Sequence, residues 1–354
     1  MKEKWYVLVI ALMITVFVFA GNIVLADQKP KTVAELALYK GADRQQILEE
    51  GAKKEGKIVF YTSAALRGGV RPLVNAFQKK YPYIKVEFWR SSPLKVVPKV
   101  LEEYKVGRFV VDVIGLPQGG QIMLEEAGIL QPFYSPELAY IEADAIRRAP
   151  DGGVFSAGHY VSAKVLGYNT SLITREELPK TYQELLDPKW KGEKVTLSGG
   201  TGTVVWMGVI LETYGEDFAR RMAKQDFVLQ MVTSMGVLDM IIAGEYLFSP
   251  TMSDSQVNLG KKKGAPVDWI PLEPAVCYLN QIMLPKRAAN PHAVMLYIDF
   301  DLSKEAGEIY KANGYFSPRK DVPSETTYKK YYGPFSTKQF NKWLKLYKEL
   351  YLDK

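Results

Sequence analysis

The chain has 354 residues, 47% of them hydrophobic, and a formal net charge of +7. That is enough apolar material for two lobes of ordinary size. The basic excess is dispersed, and its longest run, Lys261-Lys262-Lys263, reads as a solvated helix end rather than a nucleic-acid patch. The single cysteine, Cys277, allows no internal disulfide and reads as a small buried hydrophobe in the apolar run Ala275–Leu279.

In chain order, Met1–Ala26 has the pattern of a secretory signal peptide. Lys2 and Lys4 form the basic start, Val7–Ala20 the apolar core, and Val24-Leu25-Ala26 a small-residue cleavage site. No cysteine follows that site, so the expected destination is the periplasm, without a lipid anchor. Thr32–Tyr39 and Arg44–Lys54 predict a first pair of helical segments. Ile58-Val59-Phe60 is a short β-branched and aromatic run, stopped by Tyr61-Thr62-Ser63 and Gly68-Gly69. Val70, Leu73, Val74 and Phe77 then fall at helical spacing, so the segment predicts strand, polar turn, helix. In open α/β folds ligands bind outside such turns, at the carboxyl ends of the strands. A helix start there also offers N–H groups to an anion.

The pattern recurs. Lys85–Trp89 predicts a strand running into Arg90-Ser91-Ser92-Pro93, and Leu94–Val106 a helix. Val110–Ile114 predicts a strand, and Gln121–Ala127 a helix after the Gly119-Gly120 turn. Val161–Leu166 predicts a second apolar strand, and Glu176–Leu186 a polar helix. Lys194–Leu197 runs into Ser198-Gly199-Gly200-Thr201-Gly202-Thr203, then Val204–Tyr214 predicts an apolar helix. Ser234–Ala243 predicts a helix stopped by Gly244. Tyr246–Phe248 predicts a strand entering the turn Ser249-Pro250-Thr251-Met252-Ser253. Val267–Ile270 and Ala275–Leu284 predict strands, and Pro291–Leu302 and Ser303–Asn313 helices. Thr337–Leu352 predicts an amphipathic terminal helix, with Phe340, Trp343, Leu344, Tyr347 and Leu350 on one face.

This alternation defines an α/β chain of two units, each a mostly parallel sheet flanked by helices. The first unit is interrupted near residue 160 and resumes near residue 276. The expected division is residues 27–160 with 276–354 as lobe 1, and 161–275 as lobe 2. Two chain crossings make a hinge, and the space between lobes a cleft.

The ordered series EEGAKKEGKIVFYTS (49–63), LVNAFQKKYPYIKVEFW (73–89), GYNTSL (167–172), GAPV (264–267), PLEPAV (271–276), NPHAVMLYIDF (290–300) and NGYFSPRKDV (313–322) resembles the type II extracellular solute-binding proteins of ATP-binding-cassette importers, in the iron and small-anion branch. The resemblance implies two lobes closing on a ligand. It also implies hinge strands near Val161–Val165 and Pro274–Tyr278, and cleft loops at Tyr61–Ser63, Arg90–Ser92, Ser198–Thr203 and Ser249–Ser253. The implied partners are a small solute and the permease subunits of the importer, with no nucleic acid. The expected state is a monomer, without cofactor, metal or catalytic residues.

Ferric-binding members carry two adjacent tyrosines shortly before the segment matching Gly264–Val267. This chain has Thr251-Met252-Ser253-Asp254-Ser255 there. The pair Tyr331-Tyr332 lies in the C-terminal loop and reads as packing or surface. His159 and His292 are too few for a His-rich zinc site. His159, near the crossing, is either a ligand contact or a buried hydrogen-bonded histidine; His292 reads as structural. The candidate loops share hydroxyls and glycines, which suit phosphate, phosphonate, sulfonate or carboxylate oxygens. The candidate ligand-binding residues are therefore Thr62, Ser63, Arg90, Ser91, Ser92, Tyr160, Ser198, Gly200, Thr201, Thr203, Ser249, Thr251 and Ser253. Arg67 is a further candidate cation, and Trp89 and Trp206 are candidate apolar walls. The alternatives are Fe(III) capture through Tyr61, Asp254 and a bound anion, an exported enzyme, or a sensor subunit. No nucleophile elbow, metal-ligand spacing or carboxylate pair supports the enzyme.

Overall fold

The computed structural model describes residues 29–353 apart from 151, 193, 233, 324–329, 334 and 335. The leader over residues 1–26, and the side chains of Arg67, Tyr331 and Tyr332, lie outside the described residues. Among the described residues, no helix is long and apolar enough to cross a membrane.

The first half runs α1 (Val33–Leu38), α2 (Arg44–Glu55), β1 (Lys57–Thr62), α3 (Arg71–Lys80), β2 (Lys85–Arg90), α4 (Pro93–Lys105), β3 (Val113–Pro117), α5 (Gln118–Glu126), β4 (Leu130–Gln131) and β5 (Ile146–Arg148). Strand β6 (Val154–Asn169) is 16 residues long and buried along almost its whole length. Then come β7 (Thr196–Ser198), α6 (Thr201–Ala223), β8 (Val228–Gln230), α7 (Ser234–Ala243), β9 (Phe248–Ser253), α8 (Asp254–Lys262) and β10 (Val267–Ile270). The chain returns through β11 (Ala275–Pro285), α9 (Pro291–Asp301), α10 (Lys304–Ala312), β12 (Lys330–Tyr332) and α11 (Thr337–Tyr347).

Strand β1 pairs in parallel with β2 and β3, as the strand–turn–helix pattern predicts. Its residues alternate between two cores. Ile58 and Phe60 enter the larger one with Leu48, Phe77 and Tyr297. Tyr61 enters the other, with Val96, Val97, Val100 and Leu124 from α4 and α5. Helices therefore cover both faces of this sheet, as its apolar strands require. Asp112, fully buried, accepts hydrogen bonds from Val59 N–H at 2.9 Å, Ala289 N–H at 2.8 Å and Asn290 N–H at 3.0 Å, and from the Asn290 amide at 2.9 Å. It ties β1 to the start of α9. Asp112→Asn sets an NH2 group against these donors, and chemical denaturation is expected to show a loss of about 1–3 kcal/mol.

Strands β6 and β11 contain the two segments expected to cross between lobes. They pair antiparallel, Val276 with Lys164 through Leu279 with Val161, so both segments expected at the hinge lie in one ladder. Beyond the crossing, β6 also carries β9 and β10, both antiparallel. Strand β12 pairs in parallel with β11 over Ala275–Cys277, beside the crossing.

Several segments differ from the sequence expectation, among them Tyr331-Tyr332, which lies in β12 rather than in a loop. Residues 249–253 form most of β9 rather than a turn, because their hydroxyls are paired inside the sheet. Glu176–Leu186 forms turns and a short 3₁₀ segment, Glu184–Leu186, rather than a helix. The terminal helix, placed with lobe 1 by sequence, packs on α6: Phe340, Trp343, Leu346 and Tyr347 share a core with Trp206, Val209 and Ile210. Leu346, not Leu344, completes its buried face. Gly208 makes the approach possible, since a Cβ there would lie 2.1 Å from the Trp343 ring.

Candidate solute-binding cleft

A polar cavity of about 270 Å³ opens between the end of the β1–β3 sheet and the crossing strands, near the lower size limit for small-ligand sites. Of the sequence candidates, Ser63, Arg90, Ser92, Tyr160, Thr201 and Ser253 line it. Three helices begin there. Ser92, Gly200 and Ser253 occupy the cap positions of α4, α6 and α8, and none of these side chains bonds its own helix. At α4 and α6 the first-turn N–H groups thus lack a side-chain cap, the condition that suits anion binding, whereas at α8 Asp254 takes the Ser255 N–H.

Of the other candidates, Thr62, Ser198, Thr203, Ser249 and Thr251 are buried, Ser91 is half-buried and Gly200 is exposed. Thr62 is fully buried and accepts from Ala64 N–H at 3.0 Å, shaping the turn after β1. Ser91 N–H donates to the Thr62 carbonyl at 3.1 Å, continuing the β1–β2 ladder. Ser198 shares a 2.9 Å hydrogen bond with Ser234, and its N–H donates to the Thr251 hydroxyl at 2.8 Å. Thr251 in turn pairs with Ser249 at 3.1 Å, and the Thr203 hydroxyl donates to the Ser198 carbonyl. These groups tie β7, β9 and the start of α6 together. Gly200 sits at φ +100°, a conformation that favours glycine.

Trp89 packs edge-on against Tyr61 at 5.2 Å, and Trp206 is fully buried in the core shared with α11. Neither forms a cleft wall. Tyr61 points away from the cleft, donating its hydroxyl to Glu103 at 3.0 Å under α4, so it does not join Asp254 as a metal ligand. His159 is buried behind Tyr160, with Nδ1 2.6 Å from Asp301, whose second oxygen accepts from Tyr310 at 2.7 Å. His292 sits 2.6 Å from Glu55, which also accepts the Ala293 N–H at the start of α9.

The sequence reading passed over the cleft's central charge. Lys164 lines the cavity from within β6 and is 6% exposed. Its Nζ donates to the Thr251 carbonyl at 2.7 Å. Gly202 lets the lysine stem pass under the first turn of α6, since a Cβ there would meet Lys164 Cε at 2.8 Å. Burial lowers the Lys164 ammonium to about 8, a shift opposed by Asp254. Asp254, at the start of α8, accepts from the Ser162 hydroxyl at 3.0 Å and from Ser255 N–H at 2.6 Å. Burial raises its carboxyl to about 7, against these hydrogen bonds and the Lys164 charge. Ser162, Ser255, Gln256, Tyr278, Asn280 and Tyr315 also line the cavity and were missed. A lysine inside an otherwise apolar strand was the available signal for the first of them.

This architecture, two sheet-and-helix lobes joined by a paired crossing with a polar cleft beside it, defines a solute-binding protein of the type II periplasmic fold. Residues 121–346 match the family described as bacterial extracellular solute-binding protein, and the chain belongs to that family, which comprises binding proteins rather than enzymes. The iron uptake protein A1 of Synechocystis is 27% identical over 214 residues, 55% of this chain and 57% of that protein. The match therefore spans less than two thirds of that relative. Among solved structures, iron-bound HitA from Pseudomonas aeruginosa superposes with a TM-score of 0.71 at 18% identity, over 84% of this chain and 99% of that one. AfuA from Actinobacillus pleuropneumoniae, with fructose-6-phosphate bound, gives a TM-score of 0.68 at 20% identity, over 83% and 98%. At these identities the structural likeness establishes the fold alone.

Proposed function

We propose that this protein is the periplasmic solute-binding component of an ATP-binding-cassette importer, acting as a monomer. It captures a small anionic solute, a phosphonate, phosphate ester, sulfonate or carboxylate, and delivers it to the membrane permease. The two closing lobes are residues 27–160 with 276–336, and residues 161–275 with the terminal helix that packs on α6, with the β6–β11 ladder as hinge. The supporting observation is Lys164, a buried ammonium on the cleft wall where the uncapped starts of α4 and α6 converge. Such a cation lacks a full counter-charge until an oxyanion arrives. The solute bound to AfuA shows that this fold accommodates a phosphorylated one.

One observation favours Fe(III) as a second reading: Tyr160, Tyr278 and Tyr315 line the cavity, and phenolates suit Fe(III). Burial raises all three phenols, Tyr315 to about 12, so ionising them at neutral pH is costly. Lys164 and Arg90 add repulsion. A thermal-shift screen against phosphonates, sugar phosphates, sulfonates, dicarboxylates, thiamine and ferric citrate separates the readings. One class of anion is expected to raise the melting temperature, by mass action on the folded state. Stabilisation by Fe(III) with a visible charge-transfer band overturns the anion reading, and turnover of any of these compounds overturns the binding role.

The pH dependence carries an independent sign. Lys164 is depressed in the fold, so its contribution to stability is complete above its ordinary value of 10.5 and lost as pH falls through about 8. Asp254 is raised, so its contribution is complete below 3.8 and lost as pH rises through about 7. A bound anion favours the proton on both. Affinity for an anion is expected to fall as pH rises from 7 to 9, approaching about tenfold per unit above 8. Calorimetric titrations across that range check this; affinity that rises with pH indicates a cation instead.

A further inference from the structure

We propose that the solute carries an apolar tail, seated in a second cavity that opens off the charged end of the cleft. The charged end rests on the capture reading above; the second cavity is an observation of its own. It measures about 260 Å³ and lies among α4, α5, the start of α6 and α11. Leu94, Val97, Leu101, Met123, Val205 and Phe340 form its walls. Among the described residues no charged side chain lines it.

Four residues, Pro93, Pro117, Thr201 and Tyr278, line both cavities, so the polar cleft and the apolar annex share a wall. Tyr278 marks the junction. Lys164 Nζ lies 5.9 Å from its ring centroid, and the next residue along β11, Leu279, lines the annex. Thr201 likewise faces both, one residue into the helix whose start faces the anion. Leu94 is 52% exposed despite its place on the annex wall, so part of this apolar surface has no protein cover. A hydrated inorganic ion would use the cleft and leave the annex empty. An organic oxyanion with an alkyl or aryl group of several carbons fills both, with its charge at Lys164 and its carbons among Leu101, Met123 and Val205. Seating a tail there removes apolar surface from water on both sides, which favours binding.

The test titrates the full mature chain with methylphosphonate, butylphosphonate and benzylphosphonate, and with acetate and hexanoate, by calorimetry. Affinity is expected to rise about fourfold for each methylene buried. Met123→Trp fills the annex and Leu101→Asp charges its wall, two turns beyond the start of α4. Both positions lie away from the anion end, so each variant is expected to lose the gain from the tail and keep the methylphosphonate affinity. Neutral benzyl alcohol, followed by saturation-transfer NMR, probes the annex without a charged group. It is expected to bind the wild-type protein and not Met123→Trp. Equal affinity for methylphosphonate and butylphosphonate overturns the tail and leaves anion capture standing. Binding of benzyl alcohol with no binding of any anion supports the annex and overturns anion capture. Failure of every probe overturns both.

Discussion

Replacing Lys164 by methionine is expected to leave the protein folded and to weaken its hold on an anionic solute by about a hundredfold, a loss typical of truncating one partner of a buried charge pair. Methionine keeps much of the stem that passes under Gly202 and removes only the ammonium. In the empty protein the ammonium is costly: it is buried, donates to the Thr251 carbonyl, and has only Asp254 as a nearby opposite charge. Removing it relieves that cost, and Asp254, already raised by burial, takes up a proton instead of standing as an unpaired anion. The melting temperature should therefore hold or rise while the dissociation constant increases. That combination separates a binding role from a structural one. An unchanged dissociation constant with an intact fold removes Lys164 from the site.

Trp343→Ala is expected to cost about 3–5 kcal/mol of stability, the range for deleting a fully buried large aromatic side chain. Trp343 has no exposure, its ring lies against Gly208 on α6, and its indole N–H donates to Glu212 at 3.0 Å. The substitution leaves a cavity and a helix with a weakened attachment, while Glu212 keeps Lys342 at 3.8 Å as a partner. The midpoint in guanidinium reports the loss. A change under about 1 kcal/mol would mean that the last helix is not an integral part of the second core. Gly208→Val offers the converse disturbance, because its side chain enters space already taken by the indole.

The alternation of strands and helices was legible because Ile58-Val59-Phe60 and its counterparts are apolar runs bounded by turn residues, a pattern local in sequence. The strands β6 and β11 were legible as well, from the apolar runs Val161–Leu166 and Ala275–Leu284. Strand β9 was not. Ser249-Pro250-Thr251-Met252-Ser253 has the composition of a turn, and only the pairing of Thr251 with Ser198 and Ser249 makes it fit for burial. That pairing spans 53 residues between Ser198 and Thr251, so no local window contains it. The same fact divided the candidate site. Hydroxyls near strand ends were readable, but whether each faced the cleft or the sheet depended on partners distant in the chain. Ser63, Ser92, Thr201 and Ser253 face outward, whereas Thr62, Thr203 and Thr251 bond within the protein. The central charge was overlooked because Lys164 sits in a strand recognised by its apolar neighbours.

The placement of β12 and α11 has a mechanical consequence. Strand β12 pairs with β11 beside the proposed hinge, and α11 packs on α6 in the other proposed lobe, so on that reading three segments link the lobes rather than two. A two-stranded connection can twist as well as bend; a third strap anchored by Trp343 restrains twisting and leaves a jaw-like swing about a single axis. On that reading the travel of the swing is governed by the C-terminal segment, none of whose described residues lines the polar cavity.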